Sequence, residues 1–316
     1  MCARTTNIFY NQWAFGPDGA QAKVGMNAPA PAGKGVRVGV FDASPFPVTF
    51  SRVTLNMSPD LTLALHHPIP GGAYMPGPHG NAADHGLFVA GLIHALAPAA
   101  EIHLIRVLDD AVQGDLFTLL AALTTFISEV RTDKKALCGA VINLSLGLKG
   151  SAGAPASGTA LTLHLVLDAA ARHGIVVTAA AGNDSAGETP PLGPQIPAAW
   201  PHVIGVGASN RAGKRACFSN TGDVLAPGGD GRCPCCQSAI DKCHGKDCDY
   251  ALIGLATGAY TGYVYGVGSS FATPLVSGLA ALLQAKHCWL APHSIQKTIR
   301  RNSAPAGVIS VQSTLQ

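Results

Sequence analysis

What most restricts the fold of this chain is a rhythm along it. Short apolar runs rich in Val and Ile, at 36–42, 101–108, 140–147, 175–183 and 203–209, alternate with longer stretches of helical spacing. A run that is apolar at nearly every position suits a strand buried on both faces, and the helices between such runs supply the cover. The expected fold class is therefore α/β: a single domain with a mainly parallel β-sheet between helices. Leu116, Leu119, Leu120, Leu123, Phe126, Ile127 and Val130 share one helical face behind a cap at Asp115. Further helices are expected over 159–173, ended by Gly174 as a left-handed cap, over 270–285 and over 292–301. Pro274 is assigned to the first turn of its helix, where a missing N–H costs little.

Composition excludes several classes. Only 12% of the 316 residues are charged, which rules out a disordered, highly charged chain. Apolar residues reach 47%, yet no run attains the roughly 18 needed for a membrane span. His94 interrupts the longest candidate, 86–100. A formal charge of +3 without a basic stripe is too weak for a nucleic-acid footprint. No membrane span and no nucleic-acid partner are expected, and the chain is expected to be a monomer. Residues 1–10 hold a single basic residue and no apolar stretch of signal-peptide type, so the expectation is a cytoplasmic protein or an exported mature fragment.

No polar or Pro/Ser-rich linker divides the chain, so one domain is expected over 1–316, with its core at about 12–302. Two Gly- and Pro-rich stretches, 44–84 and 227–265, break the rhythm and are expected as surface excursions. The second is Cys-rich: five of the nine cysteines fall between Cys233 and Cys248. Local disulfides, free thiols and a structural metal are all open readings of that cluster. Cys217 is expected as a small buried hydrophobe.

In open parallel sheets the ligand site lies beyond the carboxyl ends of the strands. There the run 36–42 delivers Asp42, the run 140–147 delivers Ser145, Leu146 and Gly147, and the run 175–183 delivers Gly182 and Asn183. His85 opens the segment 84–91, whose Gly86 and Ala90 let a helix approach its neighbours closely, and Ser270 opens the helix within 268–274. Asp, His and Ser are the parts of a nucleophilic relay: a weak hydroxyl, an imidazole to take its proton, and a carboxylate to hold the imidazole. The α/β-hydrolase order, Ser then acid then His, is impossible with Ser270 because no Asp or Glu follows it. A nucleotide-binding reading fails as well, since Gly33, Gly35 and Gly39 precede and enter a strand instead of following it.

These segments resemble the signatures of the subtilisin-like serine peptidases. Gly33-Lys34-Gly35-Val36-Arg37-Val38-Gly39-Val40-Phe41-Asp42 is similar to the family's Asp strand, and His85-Gly86-Leu87-Phe88-Val89-Ala90-Gly91 to its His motif. Asn143-Leu144-Ser145-Leu146-Gly147 resembles the substrate strand, Ala181-Gly182-Asn183 the oxyanion segment, and Gly268-Ser269-Ser270-Phe271-Ala272-Thr273-Pro274 the nucleophile motif. The likeness begins near Gln12-Trp13 and reaches the C-terminal helix.

The resemblance implies a subtilisin-like fold and a serine endopeptidase working through an acyl-enzyme. It makes Ser270 the nucleophile, His85 the general base and later acid, and Asp42 the group that orients His85. Asn183 would donate to the oxyanion beside the Ser270 N–H, and Ser145, Leu146, Gly147 and Gly182 would bind a polypeptide substrate. Small residues over 179–182 point to an open pocket for bulky apolar side chains. His94 and His103 are expected as structural, hydrogen-bonded residues.

The chain also departs from the family. Ala43-Ser44 follows Asp42 where the family has a hydroxyl residue and Gly, which suggests the rival reading of a catalytically inactive peptide-binding relative. A metal or redox module centred on the Cys cluster is a second rival. The loop that supplies a tight calcium site in well-known members is missing after 89–91, so that site is expected to be absent; no cofactor and no metal at the catalytic residues are expected. About 35 residues precede the first strand, and no separate pro-domain is expected within them.

Overall fold

The computed structural model of the chain describes residues 12–15, 32–45, 53–54, 62–66, 83–133, 137–149, 151, 158–230, 251–255, 263–303 and 307–315. The cluster from Cys233 to Cys248 lies outside these residues.

Strands β1 (Val36–Asp42), β2 (Val53–Thr54), β3 (Thr62–His66), β4 (Glu101–Arg106), β5 (Gly139–Leu144), β6 (Ile175–Ala180), β7 (Ile204–Ser209) and β8 (Val224–Pro227) form one eight-stranded sheet. Its order is β2-β3-β4-β1-β5-β6-β7-β8, parallel throughout except for the β2–β3 pair. Because β1 lies between β4 and β5, the chain builds one edge first and then the other. That reversal opens a crevice at the carboxyl ends of β1 and β5.

Side chains alternate across the strands into two cores. Val36, Val38, Val40, Val141, Val176 and Val206 pack with α1 (His85–Leu96) and α4 (Ser269–Lys286). On the other face Phe41, Ile142, Leu144, Ile175 and Val177 pack with α2 (Leu116–Thr132) and α3 (Thr159–Arg172). Every position of β1 is buried, so Arg37 must be paired: its Nη2 lies 3.1 Å from Glu101 and 2.5 Å from Asp133. The predicted face of α2 is the buried one, and Asp115 caps it by accepting the Thr118 N–H at 2.8 Å. That bond, followed by the one from the Thr118 hydroxyl, holds the Asp115 carboxyl below its ordinary value.

The structure differs from the sequence-based expectations at four places. The stretch 44–84 contributes β2 and β3 to the sheet, because Thr62–His66 is a five-residue strand set in Gly- and Pro-rich composition that masks it. Within 227–265, β9 (Leu252–Leu255) is wholly buried and pairs antiparallel with β10 (Tyr263–Gly266) over α1. Gly254 lies so near Phe88 that a Cβ would fall 2.1 Å from its ring, and Gln12 clamps β9 by donating to Ile253 O (2.8 Å) and accepting its N–H (2.9 Å). Pro274 lies beyond the first turn, since α4 begins at Ser269. Cys217 is half-buried and disulfide-bonded, so its sulfur is a crosslink and not merely apolar filling.

A second disulfide, Cys138–Cys288, ties the start of β5 to the end of α4. Helix α5 (Pro292–Arg301) follows it with Ile295 and Ile299 buried, and residues 307–309 then join the edge at β8 before α6 (Val311–Leu315). His103 is buried and bonded to Glu101 at 2.6 Å, as expected of a structural histidine, and His94 is buried within α1. His164 and His202 meet edge to face at 4.7 Å beside Trp200. Burial, and then the neighbouring His164, push the His202 imidazole below its ordinary value. Among the described residues no helix is long and apolar enough to cross a membrane.

Candidate active site

The carboxyl end of β1 sets Asp42 in the crevice, fully buried. Its carbonyl accepts the N–H groups of Val107 (2.9 Å) and Leu108 (3.3 Å), which fixes the backbone at the strand end. Oδ1 accepts the Ala43 N–H at 2.7 Å and lies 2.7 Å from His85 Nδ1. Oδ2 is buried with no hydrogen-bond partner among the described residues. This agrees with the missing hydroxyl after Asp42.

His85 is the first residue of α1 and remains partly open, with 15% of its side chain exposed. Gly86 makes the docking of that helix possible, since a Cβ there would fall 2.1 Å from Ala43 O and 2.9 Å from Asp42 Cβ. The imidazole lies 5.1 Å, ring centre to ring centre, from Phe271 of α4, and Phe271 lies 4.1 Å from Phe88 of α1. Aromatic packing thus brings the starts of α1 and α4 together.

Ser270 is the second residue of α4. Its turn is held by Asn183, whose Oδ1 accepts the Ser269 N–H at 2.8 Å, and by Ser269 Oγ, which accepts the Gly182 N–H at 3.2 Å. A Cβ on Gly268 would lie 3.5 Å from Asn183 Nδ2, so the amide nitrogen faces the start of α4. Gly182 has a φ of +111°, which glycine adopts without strain, and a Cβ there would fall 2.6 Å from Asn220 Nδ2. Ser145 is buried just beyond β5 and donates to Ser270 O at 2.7 Å. Leu146 is half-buried and Gly147 exposed, at the mouth of the crevice.

All the residues singled out in the sequence lie at the carboxyl ends of β1, β5 and β6 and at the starts of α1 and α4. An imidazole whose Nδ1 is fixed by a buried carboxylate can accept a proton at Nε2 from a neighbouring hydroxyl. An amide beside a helix N-terminus can stabilise developing negative charge.

Gln195 is a neighbour of this site that the sequence reading missed. A Cβ on Gly147 would fall 2.7 Å from Gln195 Oε1, and one on Gly182 would fall 3.0 Å from its Cδ. Gln195 Nε2 donates to Asp184 at 2.5 Å. An amide therefore lies against both Gly147 and Gly182. No local signal marks Gln195, because it arrives from the loop after β6. Farther along, a cavity of about 550 Å³ is lined by Leu108, Val112, Leu116, Leu119, Leu146 and Leu148, among others.

Comparison with known proteins agrees with this architecture. The sequence profile of the subtilase family (Peptidase_S8) matches residues 66–314, and the chain belongs to that family. It is 35% identical to Subtilisin E of Bacillus subtilis (strain 168) over 233 residues, covering 69% of this chain and 50% of that protein. To Subtilisin of Bacillus pumilus it is also 35% identical, covering 70% of that protein. A Thermostable alkaline protease of Halalkalibacterium halodurans is 29% identical over 87% of this chain and 64% of its own length. The chain thus spans about half the length of some of its curated relatives.

Two solved structures share the fold. One, a lanthipeptide protease, has a TM-score of 0.63 at 20% identity, covering 90% of this chain and 88% of that one. The other, a mutant of the protease domain of PatA, has a TM-score of 0.63 at 23% identity, covering 88% and 93%.

Proposed function

We propose that this chain is a serine endopeptidase whose peptidase domain occupies 1–316, with its core at about 12–302. The observation that carries the reading is the 2.7 Å contact between His85 Nδ1 and the buried carboxylate of Asp42, at the mouth of the crevice where α4 begins with Ser269 and Ser270.

In the proposed reaction the Ser270 hydroxyl attacks the scissile carbonyl and His85 Nε2 takes its proton. Asp42 holds the Nδ1–H and stabilises the imidazolium that forms. The oxyanion of the tetrahedral adduct accepts bonds from the Asn183 amide and the Ser270 N–H, with the start of α4 adding its favourable dipole. Collapse breaks the C–N bond, His85 returns the proton to the leaving amine, and an acyl-Ser270 ester remains. Water, deprotonated by the same imidazole, hydrolyses the ester and frees Ser270.

The substrate is an extended polypeptide, paired with the Ser145, Leu146 and Gly147 segment on one side and reaching Gly182 on the other. The cavity beside Leu146 and Leu148 suits an apolar side chain of that substrate. A peptide phosphonate that labels Ser270, together with complete loss of hydrolysis in a folded Ser270→Ala variant, is the expected result. Unchanged hydrolysis by that variant would refute the assignment, and an unlabelled, folded protein would favour a peptide-binding relative.

A further inference from the structure

The carbonyl of Ser270 lacks the usual helical donor four positions on, because that residue is Pro274, which has no N–H. Ser145 supplies the missing bond from outside the helix, donating to Ser270 O at 2.7 Å. Behind Ser145 stands a buried chain of polar groups. Asn143 Nδ2 donates to Ser145 Oγ at 3.0 Å, Ser277 Oγ donates to Asn143 Oδ1 at 2.8 Å, and Thr178 Oγ1 lies 2.6 Å from Ser277 Oγ. Asn143, Thr178 and Ser277 are fully buried and Ser145 nearly so.

Each hydroxyl has one proton to give. Ser277 Oγ also reaches Thr273 O and Thr178 Oγ1 also reaches Ile142 O, each at the longer distance of 3.3 Å. With Ser277 giving its proton to the nearer Asn143 and Thr178 to the nearer Ser277, all four bonds point one way: Thr178 to Ser277 to Asn143 to Ser145 to the Ser270 carbonyl. Bonds aligned head to tail polarise and strengthen one another in a dry interior. The chain also crosses three elements, running from β6 to α4, to β5, and back to the first turn of α4.

Resting on the function proposed above, we infer that Thr178 and Ser277 are positioning residues for Ser270. A helix with a proline inside it is free to tilt the carbonyl that the proline leaves unbonded. Here that carbonyl belongs to the proposed nucleophile, and a tilt of its peptide unit turns the Ser270 Cα that carries the hydroxyl. The polar chain removes that freedom. Because Ser145 adjoins Leu146 and Gly147, the same bond joins the substrate-pairing segment to the nucleophile's turn.

The test compares Ser277→Ala, Thr178→Val and the conservative Thr178→Ser with the wild type. Turnover and KM are measured on a fluorogenic peptide, the rate of Ser270 labelling with a peptide phosphonate, and thermal melting for integrity. Ser277→Ala and Thr178→Val are expected to lower kcat and the labelling rate together by roughly 5- to 10-fold, the scale of one net hydrogen bond, with KM within about twofold. Thr178→Ser is expected to restore both rates. Thr178→Val preserves side-chain shape and carries the test if Ser277→Ala does not fold. Wild-type rates in a folded variant would overturn the positioning role alone, and so would a rise in KM at constant kcat. A wild type that no phosphonate labels would overturn the peptidase reading and this inference with it.

Discussion

Gly86 and the carbonyl of Ala43 are in such close contact that a β-carbon on residue 86 would fall 2.1 Å from the oxygen. The helix carrying His85 can therefore seat on the strand that ends in Asp42 only with glycine at that position. Gly86→Ala forces the helix outward and lengthens the 2.7 Å Asp42–His85 contact. The expected outcome is a loss of stability of roughly 1–3 kcal/mol, together with a larger fall in kcat than in substrate affinity. Urea unfolding and steady-state kinetics on one preparation would check both.

Asn183 has two tasks that substitution can separate. Its Oδ1 accepts the Ser269 N–H, while its Nδ2 is the proposed oxyanion donor. Asn183→Asp keeps the acceptor and loses the donor. Turnover is expected to drop on the order of 100- to 1000-fold with KM little changed. A variant that keeps wild-type turnover would assign the residue to structure alone.

Gln195 places an amide between Gly147 and Gly182. Gln195→Ala opens that space and leaves Asp184 without one of its donors. Profiling with a peptide library should show preference moving toward larger side chains next to the cleaved bond, by roughly 10-fold or more in relative kcat/KM. An unmoved profile would exclude Gln195 from the specificity wall.

His202 makes stability depend on pH. Its value is pushed down in the fold, first by burial and then by His164, so the unfolded chain takes up its proton at higher pH than the native one does. Stability from this group is present above the unfolded value, about 6.5, and is lost as pH falls from there through the lower folded value. Denaturant midpoints measured from pH 7.5 to pH 5 should fall, and His202→Phe should flatten that fall.

The Cys138–Cys288 crosslink closes a loop with a sequence separation of 150, long enough for a large effect on the unfolded chain. Replacing both cysteines with alanine is expected to lower the unfolding free energy by roughly 3–5 kcal/mol. Calorimetry of the paired variant would measure it. No change would mean that the bonds from Trp289 to Cys138 O and Leu137 O hold this corner without the crosslink.

The alternation of buried apolar runs with helical periods determined the parallel sheet and its covering helices, because both signals are local and repeat within a single element. The candidate site was legible for the same reason. Asp42, Asn183 and Ser145 each end a strand or lie just beyond it, and His85 and Ser270 each open a helix, so their neighbours in sequence mark them out.

Other features depended on residues that only the folded chain brings together. Gln195 reaches the pocket from a loop, Thr178 and Ser277 sit in unremarkable apolar runs 99 positions apart, and β3 and β9 are short strands within Gly- and Pro-rich sequence. The same holds for Pro274, whose effect is felt at Ser270 and answered by Ser145, 125 positions away. A hydrogen bond needs atoms about 3 Å apart, and that separation is set by the packing of the whole sheet and not by any pattern along the chain.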